Sequence, residues 1–262
     1  CISLGLGTNS TSALPRKLGN GSNRMDYNVY VDGTYAPAKI WGGASVTGAP
    51  STFAMTLSAG LLAPPGTYSM NFTVYAKIPA GTSLAAVPTV ANANTVYTSS
   101  FAGAGTYTYT TYGLINLAGC TVNSGSFGFT VNATAINDCT IGVTPMAFAN
   151  ASILTGNLRS TSTVSVRCVN NNAYQIALNG GVVAASVTGR QMKNTLTTDK
   201  VNYLLSATLD GPVWGDGTAG TSMVTGTGTG ASVPLTIFGR VPAQTSPSPG
   251  DYKDTVTATI YF

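Results

Sequence analysis

The stretch Thr255-Val-Thr-Ala-Thr-Ile-Tyr-Phe262 alternates polar and apolar side chains with a period of two. That period predicts a β-strand with one buried face, formed by Val256, Ala258, Ile260 and Phe262. Residues 106–110 and 127–133 alternate in the same way, and we find no segment with the period of an amphipathic helix. The sequence therefore predicts an all-β protein.

The composition agrees with this prediction. Apolar residues make up 44% of the 262 residues and charged residues only 8%, against roughly 25% charged in an average globular protein. Strands with uncharged polar outer faces, joined by many turns, have such a composition. The bases that give the net charge of +4 are scattered singly, which argues against nucleic acid as a partner. No apolar run approaches the roughly 18 residues that span a membrane.

The residue types that most enzymes use are missing. Histidine is absent and all eight acidic residues are aspartate, so Ser-His and Cys-His nucleophile systems are excluded. Asp210 with Asp216, or Asp251 with Asp254, could be proposed as an acid and base pair. Their Gly- and Pro-rich surroundings are instead typical of turns. We expect no enzymatic activity, no cofactor and no metal.

Two parts of the chain repeat each other in order and spacing. Asp26-Tyr-Asn-Val-Tyr-Val-Asp-Gly33, with Trp41-Gly42 after it, matches residues 202–211 with Trp214-Gly215 after them. Residues 70–80 match 233–243 in the same way. The chain therefore holds two copies of one unit, and we expect an N-terminal domain over 1–136 and a C-terminal domain over 137–262.

The four cysteines, at 1, 120, 139 and 168, predict an oxidising compartment. None lies in a CxxC pair and no histidine is present, which disfavours zinc. Their places relative to the repeat favour the pairs Cys1–Cys120 and Cys139–Cys168. Lipid attachment at Cys1 is the alternative, and any signal peptide would have been removed before that residue.

The second half resembles the spore coat protein U family, which includes pilins of archaic, Csu-type chaperone–usher pili. The segments that carry the resemblance follow the family's order and cover nearly all of residues 138–262. They are Cys139, Cys168, Arg190-Gln-Met, Tyr203-Leu-Leu, Trp214-Gly-Asp-Gly-Thr218, Phe238-Gly-Arg-Val-Pro-Ala243, Gly250-Asp-Tyr-Lys-Asp-Thr-Val256 and the terminal alternating strand.

The resemblance implies two immunoglobulin-like β-sandwich domains, the C-terminal one lacking its last strand. A periplasmic chaperone would fill the gap first, and a donor strand of the neighbouring pilin would replace it after passage through an outer-membrane usher. The acceptor edge would be Val256, Ala258, Ile260 and Phe262. We expect secretion through the periplasm to the cell surface.

A donor-like segment at 126–135 precedes Cys139, as in a pilin, but it is joined to the first domain. We expect the first domain to use it internally. With Cys1 starting that domain directly, no segment is left to donate, and a subunit that accepts but cannot donate must end the fibre. The resemblance thus predicts a tip adhesin.

Three turns of the first domain, at 59–66, 87–96 and 113–119, carry apolar residues where turns are usually polar. Counting strands as a meander places all three at one end, opposite the linker. Together they predict an exposed apolar patch that attaches to abiotic or other hydrophobic surfaces and supports biofilm formation. Its candidate residues are Leu61, Leu62, Ala63, Pro64, Val90, Ala91, Ala93, Leu114, Ile115 and Leu117.

Three alternatives stay open. The apolar turn residues could fold back onto the sandwich as core. A host glycan could instead be bound by aromatic side chains in a lectin-like way, with Tyr35, Trp41, Tyr107, Tyr109 and Tyr112 as candidates. The recurrence of Trp41 as Trp214 in the second copy favours a structural role for both tryptophans. The chain could also be a purely structural spore-coat or pilus subunit.

Overall fold

The computed structural model describes residues 1–43, 45–49, 51–54, 69, 71–109 and 123–262. These form two compact units. The first unit contains Cys1–Val87 and Thr95–Ala135, and the second contains Pro88–Asn94 and Ile136–Phe262. Helix among the described residues is limited to α1 (Thr82–Ala85) and a 3-10 turn at Pro37–Lys39, and neither could cross a membrane. The all-β prediction is confirmed.

The second unit is a sandwich of antiparallel strands. Its strands are β9 (Cys139–Val143), β10 (Leu158–Cys168), β11 (Ala173–Leu178), β12 (Gln191–Asn194), β13 (Lys200–Asn202), β14 (Leu204–Ser206), β15 (Val224–Thr227), β16 (Val233–Val241), β17 (Tyr252–Lys253) and β18 (Ala258–Tyr261). One layer has the order β14-β16-β10-β9, and the other consists of β15-β11-β18 and β13-β12-β17. Alternate side chains of both layers, such as Val164, Ile176 and Ile237, form the core between them.

The first unit repeats this architecture. Its strands are β1 (Ile2–Leu4), β2 (Arg16–Asn20), β3 (Asn23–Tyr30), β4 (Tyr75–Lys77), β5 (Thr95–Ser100), β6 (Gly105–Tyr109), β7 (Asn123–Phe127) and β8 (Thr130–Ala135). They form the sheets β1-β6-β7 and β4-β3-β2-β5-β8. Leu18, Tyr27 and Trp41 lie in its core.

A buried arginine ties strands together at the same place in both units. In the second unit Arg190 is fully buried. Its Nε donates to the carbonyl oxygen of Asn179 at 2.8 Å, and its Nη2 to those of Leu178 and Trp214 at 2.8 and 2.9 Å. The indole of Trp214 donates in turn to the carbonyl of Ile176.

Arg16 repeats the contacts in the first unit, where its guanidinium donates to the carbonyls of Leu4, Gly5 and Trp41. The Trp41 indole donates to the carbonyl of Ile2. Burial lowers the pKa of Arg16 to about 10, which still leaves the guanidinium protonated at neutral pH. The matching contacts show that the repeat in the sequence is a repeat of structure.

The disulfide between Cys139 and Cys168 joins directly paired positions of β9 and β10, with the Cα atoms 4.1 Å apart. This predicted pair is confirmed. Cys1 is also disulfide-bonded, whereas Cys120, its predicted partner, lies outside the described residues.

We expect Arg190→Met to lower the free energy of unfolding of the second unit by about 2–4 kcal/mol, because it removes a donor from the buried carbonyls of Leu178 and Trp214 and from the partly buried carbonyl of Asn179. Chemical denaturation measures the loss, and hydrogen exchange of the β11 and β12 amides assigns it to this unit. Lys200→Met, which likewise replaces a cationic side chain with methionine but at an exposed site, is the control and should stay within about 0.5 kcal/mol of the unchanged protein. A similarly small effect of Arg190→Met would contradict the role assigned to this side chain.

Candidate functional site

The last strand segments of the second unit have one free edge. β17 pairs with β12 through Lys193 and Lys253, and β18 pairs with β11 through Ile176 and Ile260. On their other side, no described strand forms a ladder with either segment. Within the described part of the chain β9 likewise pairs only with β10. The backbone N–H and C=O groups that point away from β11 and β12 are therefore available to a further strand.

Apolar side chains lie accessible between β18 and β9, which approach each other without pairing. Val143 of β9 is 51% exposed although its cross-strand partner Val164 is fully buried. Phe262, just after β18, is 47% exposed. Val256, Ala258 and Ile260 pack on the core but are only partly covered. We call this region the open groove and define it by Ile141, Val143, Val256, Ala258, Ile260 and Phe262.

The first unit shows how such an edge is covered. Its strands β5 and β6 are flanked on one side by β2 and β1 and on the other by β8 and β7. Residues 123–135 run antiparallel along both, from the pair Thr95 and Ala135 to the pair Tyr109 and Asn123. The prediction that the donor-like segment is used within the first domain is confirmed.

The register identifies equivalent positions in the two units. Gly19 of β2 faces Thr98 of β5, as Lys193 of β12 faces Lys253 of β17. Ile2 of β1 faces Tyr107 of β6, as Ile176 of β11 faces Ile260 of β18. Strands β5 and β6 thus correspond to β17 and β18. The place that β7 and β8 occupy in the first unit is unoccupied in the second among the described residues.

Strands β7 and β8 cover their unit with alternate apolar side chains. Phe127, Phe129, Val131, Ala133 and Ala135 pack on the first core. The ring of Phe129 stacks on those of Phe101 and Trp41, with centroids 4.9 and 6.2 Å apart. The residues between them are exposed. A strand with this alternation therefore supplies both backbone hydrogen bonds and apolar contacts.

Asp254 anchors the free-edge segment just after β17. Its carboxylate accepts hydrogen bonds from the Tyr203 hydroxyl at 2.6 Å and from the amides of Val182 and Val183 at 3.0 and 3.1 Å. Burial raises the pKa of Tyr203, and the bond to Asp254 adds to the rise. Asp254 thus holds a loop against the strand and is surrounded by donors.

Asp210 and Asp216, the other pair considered as acid and base, also have structural partners. Asp210 accepts a bidentate hydrogen bond from Arg159 at 3.1 and 2.7 Å, and Asp216 accepts from the amide and hydroxyl of Thr218. In the described part of the chain, no group of His, Cys, Asp or Glu is arranged to hold a metal ion.

The predicted surface-binding residues are only partly described. Leu61, Leu62, Ala63, Pro64, Leu114, Ile115 and Leu117 lie outside the described residues. Val90, Ala91 and Ala93 belong to the second unit, whereas the sequence predicted them at the far end of the first domain. The meander argument is wrong for this turn, because its polar groups bond to the second unit. The Thr89 amide donates to the Asn170 carbonyl, and Asn92 exchanges hydrogen bonds with the backbone of Ala173.

The aromatic residues of the lectin alternative are not all accessible. Trp41 is 1% exposed and its indole is bonded within the core, so it cannot offer a stacking face to a sugar. Tyr35, Tyr107 and Tyr109 are exposed, and the rings of the last two lie 6.4 Å apart. Tyr112 lies outside the described residues.

Fold and groove together define a two-unit, all-β protein of immunoglobulin-like architecture in which the final strands of the second unit have a free edge. The Spore Coat Protein U domain model matches residues 1–88 and 126–259, and the chain belongs to this family. Protein U of Myxococcus xanthus is 31% identical over 184 residues, covering 68% of this chain and 97% of that protein. The resemblance noted in the sequence is confirmed.

A solved structure has a similar fold. It is the chaperone–tip adhesion subunit pre-assembly complex, CsuC-CsuE, from the archaic chaperone-usher Csu pili of Acinetobacter baumannii. The match has a TM-score of 0.53 and 16% identity, and covers all of this chain and 83% of the other. The two-domain, immunoglobulin-like fold predicted from the sequence agrees with this structure.

We expect Tyr203→Phe to change how stability depends on alkaline pH. Because the folded-state pKa of Tyr203 is raised, its contribution is fully present below pH about 10, where the unfolded tyrosine titrates, and is lost as pH rises towards the folded pKa. Melting temperatures between pH 8 and 11 should therefore fall more steeply for the unchanged protein than for Tyr203→Phe. Parallel curves would contradict this contribution, and Tyr261→Phe, at an exposed tyrosine, serves as the control.

Proposed function

We propose that this chain is the tip adhesin of an archaic chaperone–usher pilus, anchored to the fibre through the open groove of its second unit. The observation that carries the proposal is the difference between the two units. Equivalent strands are covered by residues 123–135 in the first unit and have a free outer edge in the second. A strand from another chain would complete the second unit as β7 and β8 complete the first.

The free edge also explains why such a subunit needs a partner from the moment it folds. An edge that exposes apolar side chains and unpaired backbone groups is prone to pair with other chains and aggregate. An added strand removes both hazards, since each apolar side chain that becomes fully buried contributes about 1.5–3 kcal/mol.

The partners follow from the family and the related complex. A periplasmic pilus chaperone would supply the first strand, and a neighbouring pilin subunit would replace it at an outer-membrane usher. The chain would then reach the cell surface as part of a pilus. The CsuC-CsuE complex, which pairs a chaperone with a tip subunit of this fold, supports the first of these steps.

The position at the tip is supported by the use of residues 123–135. This segment immediately precedes the second unit, where the resemblance implies that pilins carry their donor strand. Here its apolar side chains are packed into the first unit. Donating it would expose Phe127, Phe129 and the core beneath them, so the subunit accepts a strand without offering this one.

For the adhesive surface we propose the apolar turns of the first domain at 59–66 and 113–119, which would attach to abiotic or other hydrophobic surfaces and promote biofilm formation. Their support is the sequence, which places Leu61, Leu62, Leu114, Ile115 and Leu117 in turns without a charged residue. Val90, Ala91 and Ala93 are left out of this surface because their segment belongs to the second unit.

A synthetic peptide of residues 123–135 tests the anchoring. We expect it to bind the purified chain with one-to-one stoichiometry and raise the melting temperature, because it carries the alternation that covers the equivalent edge. Calorimetry and thermal denaturation measure both. The control peptide has Phe127, Phe129 and Val131 replaced by serine and should not bind.

The site is located with Val143→Asp, which places a charge in the open groove at a position that is already half exposed. This variant should fold but lose the peptide, whereas Leu196→Asp, at an exposed residue elsewhere in the unit, should keep it. Equal binding by both variants would contradict the groove as the site.

Adhesion is tested by replacing Leu61, Leu62, Leu114, Ile115 and Leu117 with threonine, asparagine or glutamine. We expect attachment of piliated cells to hydrophobic plastic to be lost while the subunit is still assembled, because the contact depends on apolar area. Val90→Thr is the matched control and should adhere normally. Attachment that survives, or that a soluble sugar inhibits, would favour the glycan alternative, for which the exposed pair Tyr107 and Tyr109 is the described candidate.

A further inference from the structure

The outer face of the second unit carries three lysines in one row across three strands. Lys193 of β12 lies directly opposite Lys200 of β13 on one side and Lys253 of β17 on the other. Residues directly opposite each other in an antiparallel sheet share a face, with Cβ atoms about 4.5–5.5 Å apart. All three side chains are exposed. We call these residues the lysine row.

The row has no anionic partner among the described residues. The ion pairs of the described chain involve Lys17, Lys39, Arg159 and Arg240, and none includes a member of the row. Two nearby carboxylates are already engaged, that of Asp199 with Ser248 and that of Asp254 with Tyr203. Asp251 lies two residues before Lys253 and forms no ion pair with it. Like charges directly opposite each other destabilise a sheet, so the row costs stability.

The fold itself does not require these lysines. The register places Arg24, Gly19 and Thr98 of the first unit at the positions of Lys200, Lys193 and Lys253. The same row in the first unit thus holds one charge instead of three. It also continues into a fourth strand, where Asn132 of β8 faces Thr98.

In the second unit the fourth position of the row belongs to the strand that would fill the open groove. We propose that this strand carries an acidic side chain directly opposite Lys253, and that the lysine row selects it. The inference rests on the proposed function and states one chemical property of the strand that fills the open groove. The acidic residue would lie on the outer face, between the apolar residues that enter the groove.

Such a contact would fix the register of the bound strand as well as strengthen its binding. Apolar alternation alone allows a strand to slide by two residues and still present apolar side chains to the groove. A shift by two residues moves the acidic group away from Lys253 and towards Asp251 on one side or Thr255 on the other. Charge complementarity of this kind discriminates between partners and accelerates association at low salt.

Two peptides of equal net charge test the proposal. Both are derived from residues 123–135, one with Asn132→Asp, whose position corresponds to Lys253, and one with Thr134→Asp. Thr134 lies opposite Val96, which corresponds to Asp251, so the second peptide has the same net charge but places it against a carboxylate. We expect the Asn132→Asp peptide to bind about two- to fivefold tighter than the unchanged peptide at low salt, and the Thr134→Asp peptide to bind no tighter.

The preference should fall at 0.5 M NaCl, because exposed charges are screened. It should also disappear in the chain variant Lys193→Gln/Lys253→Gln and persist in Lys39→Gln/Lys77→Gln, which alters two exposed lysines of the first unit. Equal affinity of the Asn132→Asp and Thr134→Asp peptides would overturn the inference while leaving the groove as the binding site. Failure of every peptide to bind would overturn the proposed function and the inference with it.

Discussion

The structure depends on how the outer edge of a strand obtains hydrogen bonds and apolar cover. A strand that alternates apolar and polar residues needs a partner on each side, because its backbone groups require hydrogen bonds and its apolar face requires cover. In the first unit both needs are met by residues 123–135, whose phenylalanines stack on the core around Trp41. In the second unit the equivalent segment, 252–261, has a ladder on one side only among the described strands. The two units thus share one architecture, in which this strand edge is covered in the first unit and uncovered in the second.

The remaining architecture holds that edge in place. The arginine and tryptophan pairs, Arg16 with Trp41 and Arg190 with Trp214, join the strand next to the edge to the loops behind it. Asp254 ties the loop at Val183 to the free-edge segment just after β17. The disulfide at Cys139 holds β9, which lies on the other side of the open groove. Because these ties lie inside the unit, the edge can remain open without loss of the core behind it.

The two units differ in the charge that they carry on the outer face of these strands. Where the first unit has Arg24, Gly19, Thr98 and Asn132 in one row, the second has three lysines and a fourth position that no described strand fills. The apolar side of the groove is suited to any strand with the right alternation, whereas a row of like charge distinguishes strands by charge. Affinity and selectivity would thus arise on opposite faces of one added strand.

Much of this protein is determined by the sequence itself. The period of two in 255–262 and the repeated Tyr and Trp-Gly motifs are local patterns, so they predicted the all-β fold and its duplication. The places of the cysteines relative to that repeat predicted the Cys139–Cys168 pair. Only the tertiary structure assigned Pro88–Asn94 to the second unit, because that outcome depends on a partner more than 30 residues away, Asn170. The sequence did not predict the lysine row either, since Lys200 and Lys253 lie 7 and 60 residues from Lys193 in the chain and come together only through strand register.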